Sequence, residues 1–142
     1  MPLRLLTDRH AVSPQIGPDD LPALRREGVA AILCNRPDGE VPPALSSARM
    51  EAACAAEGLP FAVLPALPAE MGPALAERQR EAVAQLARSA GPEGVVLAYC
   101  ASGTRCATLW ALGEAGRRPP EEILERAAKA GYDLGHLLPH LG

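Results

Sequence analysis

The stretch from Val95 to Leu112 constrains the fold of this chain more than any other. Five apolar residues, Val95–Tyr99, follow a Gly-Pro-Glu-Gly turn and predict a buried strand, because unbroken apolar runs of this length are typical of parallel-sheet cores. Small residues follow at 101–104, and helical spacing of leucines begins after Arg105. A buried strand, a tight loop and a helix in this order form one unit of a parallel α/β sheet.

Cys100 stands where this strand ends, just before a helix N-terminus that carries partial positive charge. A small-residue loop leading into a helix directs several backbone N–H groups at one point, so it can bind an anion. The same field lowers the pKa of a thiol and favours the nucleophilic thiolate. Arg105 can donate two hydrogen bonds to one oxyanion, and Gly103 tolerates positive φ. The alternative is that Cys100 is an inert buried cysteine.

The rest of the chain alternates short apolar runs with helical patterns. The alternation predicts an α/β fold with a mainly parallel central sheet of four or five strands, flanked by helices on both faces. We expect strands at Val29–Cys34 and Phe61–Leu64, and a small edge hairpin from Leu3–Leu6 and Ala11–Ser13. Helices are predicted over 18–27, 46–57, 75–89, 104–114, 119–130 and 134–141. The length suits one domain over residues 1–142.

Three loops follow strands of the predicted sheet, at the edge where ligand sites of parallel sheets form. They are Asn35–Pro43, Pro65–Pro73 and the loop from Cys100 to Arg105. The first contains three charged residues, Arg36, Asp38 and Glu40, although Pro-Asp-Gly is also a strong signal for a plain turn. The second contains a single acid, Glu70. The first loop is therefore either a part of the functional site beside the cysteine or a plain turn, and the pattern favours neither.

Composition excludes several classes of function. The formal net charge is −3 without a basic tract, so nucleic acid and anionic membranes are not expected partners. None of the four cysteines stands in a C-x-x-C pair, which indicates free thiols, and the apolar runs are short with no signal-peptide pattern. We expect a cytoplasmic protein with no cofactor and no metal. His10 is predicted to be a solvated turn residue, and His136 and His140 to be surface or packing residues.

The segment Cys100-Ala101-Ser102-Gly103-Thr104-Arg105 resembles the active-site loops of two superfamilies. Tyrosine and dual-specificity phosphatases place five residues between cysteine and arginine, whereas single-domain rhodaneses often place four, as this chain does. The phosphatase cysteine is typically preceded by histidine, where this chain has Tyr99. Ser13-Pro14-Gln15-Ile16, Asn35 to Glu40 (NRPDGE) and SGTRCATLWAL together resemble the phosphatase-like domain of bacterial beta-lactamase hydrolase-like proteins. Members of that family are also described as sulfur transferases.

This resemblance implies a dual-specificity-phosphatase-like fold and a phosphatase-like hydrolase with a thiophosphate intermediate on Cys100. Phosphatases of this fold usually carry their acid in the loop that here contains only Glu70. We therefore take Asp38 as the candidate general acid and Glu70 as the second. The catalytic set is Cys100, Arg105 and Asp38, and the anion-binding set is Ala101, Ser102, Gly103, Thr104, Arg105, Cys106 and Arg36.

Two alternatives remain open at the level of sequence. The first is a rhodanese-like sulfurtransferase that carries a persulfide on Cys100 and needs no acid. The second is a module without turnover, which binds an anion or uses Cys100 and Cys106 as a thiol switch. The expected partner is a small anionic substrate or a phosphorylated molecule, and the oligomeric state cannot be predicted.

Overall fold

The computed structural model describes residues 3–142; Met1 and Pro2, which the domain prediction includes, lie outside the described residues. Five strands form one sheet, in the order β1-β2-β5-β3-β4. Their bounds are Arg4–Thr7 (β1), His10–Ser13 (β2), Val29–Cys34 (β3), Phe61–Val63 (β4) and Val95–Tyr99 (β5). Only the β1–β2 pair is antiparallel. The predicted mainly parallel sheet is therefore confirmed.

Within residues 3–142, five of the six predicted helices are α-helices, and they pack on both faces of this sheet, which confirms the predicted arrangement. They span Leu21–Arg26 (α1), Ser47–Ala56 (α2), Pro73–Ala90 (α3), Thr104–Glu114 (α4) and Pro120–Lys129 (α5). Two buried clusters, one on each face, form the core; α1 and α2 contribute to one, and α3, α4 and α5 to the other. The last predicted helix is a 3-10 helix over Gly135–His140. No helix within residues 3–142 has the length and apolarity needed to cross a membrane.

Strand β5 lies at the centre of the sheet because both of its faces are apolar. All five of its residues are buried, and β2 and β3 pair with it in parallel on either side. The carboxyl ends of these three strands therefore meet at one edge of the sheet. Ser13 and Cys34 both pair with Tyr99, the last residue of β5. The segments that follow β2 and β3 are thus placed on either side of Cys100.

The prediction for His10 was wrong. His10 is the first residue of β2, pairs with Val96 and is 5% exposed, because the hairpin turn is confined to Asp8 and Arg9. Its Nδ1 lies 2.9 Å from the carbonyl oxygen of Val96. Burial lowers the pKa of this imidazole, so it is neutral in the fold and Nδ1 donates to the carbonyl. The predicted hairpin is present, but of its two strands only β1 lies at an edge of the sheet, since β2 also pairs with β5.

Candidate active site

The loop from Cys100 to Arg105, here called the cysteine loop, joins the end of β5 to the start of α4. Strand β5 ends at Tyr99 and places Cys100 in the core with no exposed surface, while α4 begins at Thr104. Gly103 adopts a φ of +93°, which favours glycine because a Cβ is strained there. This turn directs the backbone N–H of Gly103 at the sulfur of Cys100, 3.1 Å away.

Several hydrogen-bond donors around Cys100 lower the pKa of its thiol. Its pKa is lowered to about 5, chiefly because the thiol of Cys106 donates a hydrogen bond to the thiolate. Burial opposes the shift, and the backbone N–H groups of Cys106, Gly103 and Arg105 reinforce it. Cys106 shows the opposite effect, because burial raises its pKa well above the ordinary value. Near neutral pH, Cys100 is therefore the thiolate and Cys106 the neutral donor.

The guanidinium of Arg105 is held by two elements and keeps one edge free. Its Nη1 and Nη2 donate to the two carboxylate oxygens of Glu40, at 3.0 and 2.7 Å, and Nη1 also donates to the carbonyl of Ala66 at 2.9 Å. An arginine carries five N–H donors. Nε–H and the second Nη2 hydrogen have no acceptor within residues 3–142. These two donors form the side edge of the guanidinium, which suits bidentate binding of an oxyanion.

The segment between β3 and α2, residues 35–46, is here called the charged loop. Glu40 accepts from Arg105 in this loop, and the Arg105 guanidinium lowers the pKa of its carboxyl group. Nη2 of Arg36 donates to the backbone carbonyl of Glu40 at 3.0 Å, and Nη1 donates to Oε1 of Gln15 at 3.1 Å. The backbone N–H of Gln15 donates to the carbonyl of Ala101. Arg36 and Gln15 thus connect the two segments that flank the cysteine loop.

Asp38, the candidate general acid, binds the start of α2. Its two carboxylate oxygens accept from the backbone N–H and the hydroxyl of Ser47, at 2.8 and 3.0 Å. Ser46 caps the same helix, since its hydroxyl accepts from the N–H of Arg49. Glu70, the second candidate acid, lies exposed in a 3-10 turn after β4. Neither acid makes a hydrogen bond to the cysteine loop.

The hydroxyl groups of the cysteine loop bind each other. Ser102 donates to the hydroxyl of Thr104 at 2.9 Å and accepts from the backbone N–H of Thr104 at 3.2 Å. Both residues are exposed. Within the loop it is thus the backbone N–H groups that face Cys100, as the glycine turn predicts, while these two hydroxyls order the first turn of α4.

Two contacts of the site were not predicted from the sequence. Glu40 was noted for its charge but not as the partner of Arg105, although the dense charge of the charged loop was a signal. Tyr132 carried no signal: it lies 30 residues beyond Ser102, and its hydroxyl donates to the Ser102 carbonyl at 2.9 Å. Nη1 of Arg4 in turn donates to the Tyr132 hydroxyl at 3.0 Å. Within residues 3–142, no group of three or more histidine, cysteine or acidic side chains is placed to hold a metal.

Comparison with known proteins finds relatives of this chain. A family model described as "Beta-lactamase hydrolase-like protein, phosphatase-like domain" matches residues 2–117. A beta-lactamase hydrolase-like protein from Agrobacterium fabrum is 33% identical over 131 residues, which cover 91% of this chain. The match spans only 29% of that longer protein.

Two solved structures share the fold. A "putative phosphatase" from Neisseria meningitidis is 30% identical with a TM-score of 0.83, and the match covers 99% of this chain and 96% of the other. A mutant form of Tk-PTP is 17% identical with a TM-score of 0.71, and the match covers 99% and 93% of the two chains. The second likeness concerns the fold alone. Together they confirm the expected phosphatase-like architecture.

Proposed function

Because the chain belongs to the family of the phosphatase-like domain of beta-lactamase hydrolase-like proteins, we propose that it is a cysteine-dependent phosphatase acting on a small phosphorylated molecule. The observation that carries the proposal is the environment of Cys100. A thiol with a pKa of about 5, facing an N–H group 3.1 Å away, is a thiolate nucleophile at neutral pH. The longer relatives contain further segments, so the proposal concerns the activity of this chain.

In the first step, the Cys100 thiolate attacks the phosphorus of a phosphate ester. A sulfur–phosphorus bond forms while the bond between phosphorus and the ester oxygen breaks. The backbone N–H groups of the cysteine loop and the free edge of Arg105 bind the non-bridging oxygens, where negative charge is stabilised. Glu40 and the Ala66 carbonyl hold the far edge of the guanidinium, so the free edge is oriented before substrate binds.

The leaving oxygen needs a proton, and we propose Asp38 as its donor. Asp38 lies two residues from Glu40, which itself contacts Arg105. To act as the acid it releases Ser47 and carries a proton when the ester binds. In the second step, water attacks the phosphorus of the thiophosphate and passes a proton to the same carboxylate. The sulfur–phosphorus bond breaks, which regenerates the thiolate and releases inorganic phosphate.

The proposal is tested by a paired assay on one preparation. An aryl phosphate measures phosphomonoester hydrolysis, and thiosulfate with cyanide measures sulfur transfer. We expect turnover of the aryl phosphate, and its loss in Cys100→Ser. Turnover of thiosulfate with an inert aryl phosphate would contradict the proposal.

One observation favours sulfur transfer as a second candidate: both oxygens of Asp38, the proposed acid, are engaged by Ser47. In that reaction Cys100 attacks the outer sulfur of thiosulfate, sulfite leaves, and a persulfide remains on the cysteine. Cyanide then removes the outer sulfur as thiocyanate and regenerates the thiolate. No step needs an acid, and the four residues between Cys100 and Arg105 match the rhodanese spacing.

A further inference from the structure

We propose that Tyr132 is a positioning residue for the cysteine loop, which fixes the orientation of the Ser102–Gly103 peptide and so aims the Gly103 N–H group at the sulfur of Cys100. The inference rests on the proposed function, since it assigns a role in that site. Tyr132 touches neither the sulfur nor a reacting atom. Its role is exerted through the peptide that it binds.

The peptide unit between Ser102 and Gly103 is contacted on both of its sides. In a trans peptide, the carbonyl oxygen and the N–H group point in opposite directions. The hydroxyl of Tyr132 donates to the carbonyl oxygen of Ser102 at 2.9 Å, on one side of the unit. The N–H of Gly103 points to Cys100 on the other side, at 3.1 Å. Holding the oxygen outward therefore holds the N–H inward.

The orientation of this peptide needs a restraint because residue 103 is glycine. With φ at +93° and no side chain, Gly103 has access to other peptide orientations that a residue with a Cβ lacks. A flip of this peptide would turn the Ser102 carbonyl oxygen toward the thiolate and remove a donor. Tyr132 also packs directly on Gly103, since a Cβ there would stand 2.0 Å from the tyrosine hydroxyl. The tyrosine and the glycine are thus fitted to each other.

Arg4 directs the proton of the tyrosine hydroxyl. Its Nη1 donates to the hydroxyl oxygen at 3.0 Å, and its guanidinium lies 5.5 Å from the centre of the Tyr132 ring. A hydroxyl that accepts from a cation turns its own hydrogen to the remaining acceptor, here the Ser102 carbonyl. The result is a chain of donors from Arg4 through Tyr132 and the peptide to the thiolate, in which each bond polarises the next.

The tyrosine remains a donor throughout the working pH range. Burial raises its pKa above the ordinary value, outweighing the opposite effect of Arg4. Other charged and titratable groups also interact with Cys100. They are Cys106 and Arg105 of α4, and Cys34 of β3. Replacing the tyrosine by phenylalanine changes none of these. A change in the titration of Cys100 in that variant therefore reports a change in the orientation of the Ser102–Gly103 peptide.

Tyr132 lies beyond residues 2–117, the part that the family model matches. The C-terminal segment nevertheless brings it to the site, because its backbone N–H donates to the Ala127 carbonyl at the end of α5. Arg126 binds the same helix to β1, with Nη1 donating to the Leu6 carbonyl at 3.2 Å. A variant of Arg126 therefore loosens the docking of α5 without removing a contact to the cysteine loop.

The test measures the pH dependence of Cys100 alkylation by iodoacetamide, with mass spectrometry to resolve the four cysteines. Tyr132→Phe removes the hydroxyl and keeps the ring, and Arg4→Met removes the group that orients it. In Tyr132→Phe, we expect the midpoint pH of Cys100 alkylation to rise by about half a unit to one unit, because one hydrogen bond is lost. In Arg4→Met, the rise should be smaller. Arg126→Met should leave the midpoint unchanged.

An unchanged midpoint in Tyr132→Phe would overturn the proposal, and so would an equal shift in Arg126→Met, because docking alone would then explain it. If Tyr132→Phe fails to fold, the comparison of Arg4→Met with Arg126→Met decides, and no difference between them counts against the proposal. Turnover of the wild-type chain is judged separately. A chain inactive on phosphate esters would contradict the proposed function, while the alkylation midpoints would still decide the role of Tyr132.

Discussion

The cysteine loop and the charged loop lie at the same edge of the sheet but are built differently. The cysteine loop is determined by local geometry: a buried strand, a glycine with positive φ and a helix N-terminus place donors around Cys100. The charged loop is held by side-chain contacts to other elements. Its Glu40 binds Arg105 across 65 positions, and its Asp38 binds Ser47 at the start of α2.

This difference separates the roles of the two loops. Replacing Cys100 leaves the backbone N–H groups of the cysteine loop in place, so this loop should still bind an anion when the nucleophile is lost. The side chains of the charged loop are partly exposed, where ion pairs contribute little to stability. We propose that these side chains instead orient Arg105 and supply a proton. Substitutions in the two loops should therefore change different steps of the reaction.

The largest effect is expected for Cys100→Ser. Removing the nucleophile should lower kcat by roughly 10⁴-fold or more, as for other covalent catalysts. Phosphate binding, measured by calorimetry, should be retained because the N–H groups remain. Cys54→Ala is the matched control: this thiol is buried in the core formed with α2, and burial raises its pKa to about 11. Full activity in Cys100→Ser would refute the role of the cysteine loop.

Asp38→Asn tests the charged loop. Asparagine can still accept a hydrogen bond from the Ser47 N–H, so the start of α2 should be preserved while the proton donor is lost. A phosphatase that uses Asp38 should lose roughly 10²–10⁴-fold in kcat on an aryl phosphate. Ser47→Ala removes the hydroxyl partner and keeps the acid, and it should retain activity. An undiminished rate in Asp38→Asn would exclude Asp38 as the acid.

Each loop contains one arginine. Comparing variants of the two separates direct binding of the substrate by Arg105 from an indirect role of Arg36 in orienting the site. Arg105→Ala removes the edge that faces the substrate, and we expect kcat/KM to fall by about 10²–10³-fold, the usual cost of an oxyanion donor. Arg36→Ala should cost only about tenfold, because Arg36 acts through Gln15 and the Glu40 carbonyl. Steady-state kinetics on an aryl phosphate measures both. Equal losses would show that the charged loop contacts the substrate directly.

The smallest effect concerns the pH dependence. The rate should rise with pH through about 5, as the Cys100 thiol becomes the thiolate, and fall again at higher pH, where the acid that donates to the leaving oxygen has lost its proton. Cys106→Ala removes the strongest donor and should move this midpoint upward by about one unit. At pH 7 roughly nine tenths of the thiol would still be ionised, so the neutral rate should barely change. Cys106→Ser keeps a donor and should leave the midpoint near the wild-type value; equal shifts in both variants would contradict the role of Cys106.

The fold and the cysteine loop could be predicted because their signals are local. The apolar run before Cys100, the small residues after it and the helical pattern beyond Arg105 specify a strand, loop and helix without reference to the rest of the chain. The parallel sheet followed from the same alternation. The solvated turn predicted for His10 was wrong by one position, since a two-residue turn makes it the first residue of a strand.

The contacts that complete the site could not be predicted, because they join residues distant in sequence. Nothing in the local pattern of Glu40 distinguishes a partner of Arg105 from an ordinary turn residue. Tyr132 follows a helix and has no recognisable motif, yet it reaches Ser102 because α5 packs against α4 and β1, and Tyr132 joins the same buried cluster. Such contacts depend on how the helices pack, which the periodicity of a single chain does not specify.

The central claim is that Cys100 itself takes the phosphoryl group. The most direct measurement is acid quenching of the wild-type chain during turnover of an aryl phosphate, followed by mass spectrometry of the peptide that contains Cys100. We expect a phosphoryl group on Cys100 of the wild-type chain and no such group in Cys100→Ser. An unmodified Cys100 during steady turnover of the phosphate, or a persulfide after thiosulfate with no phosphoryl adduct from the ester, would contradict it.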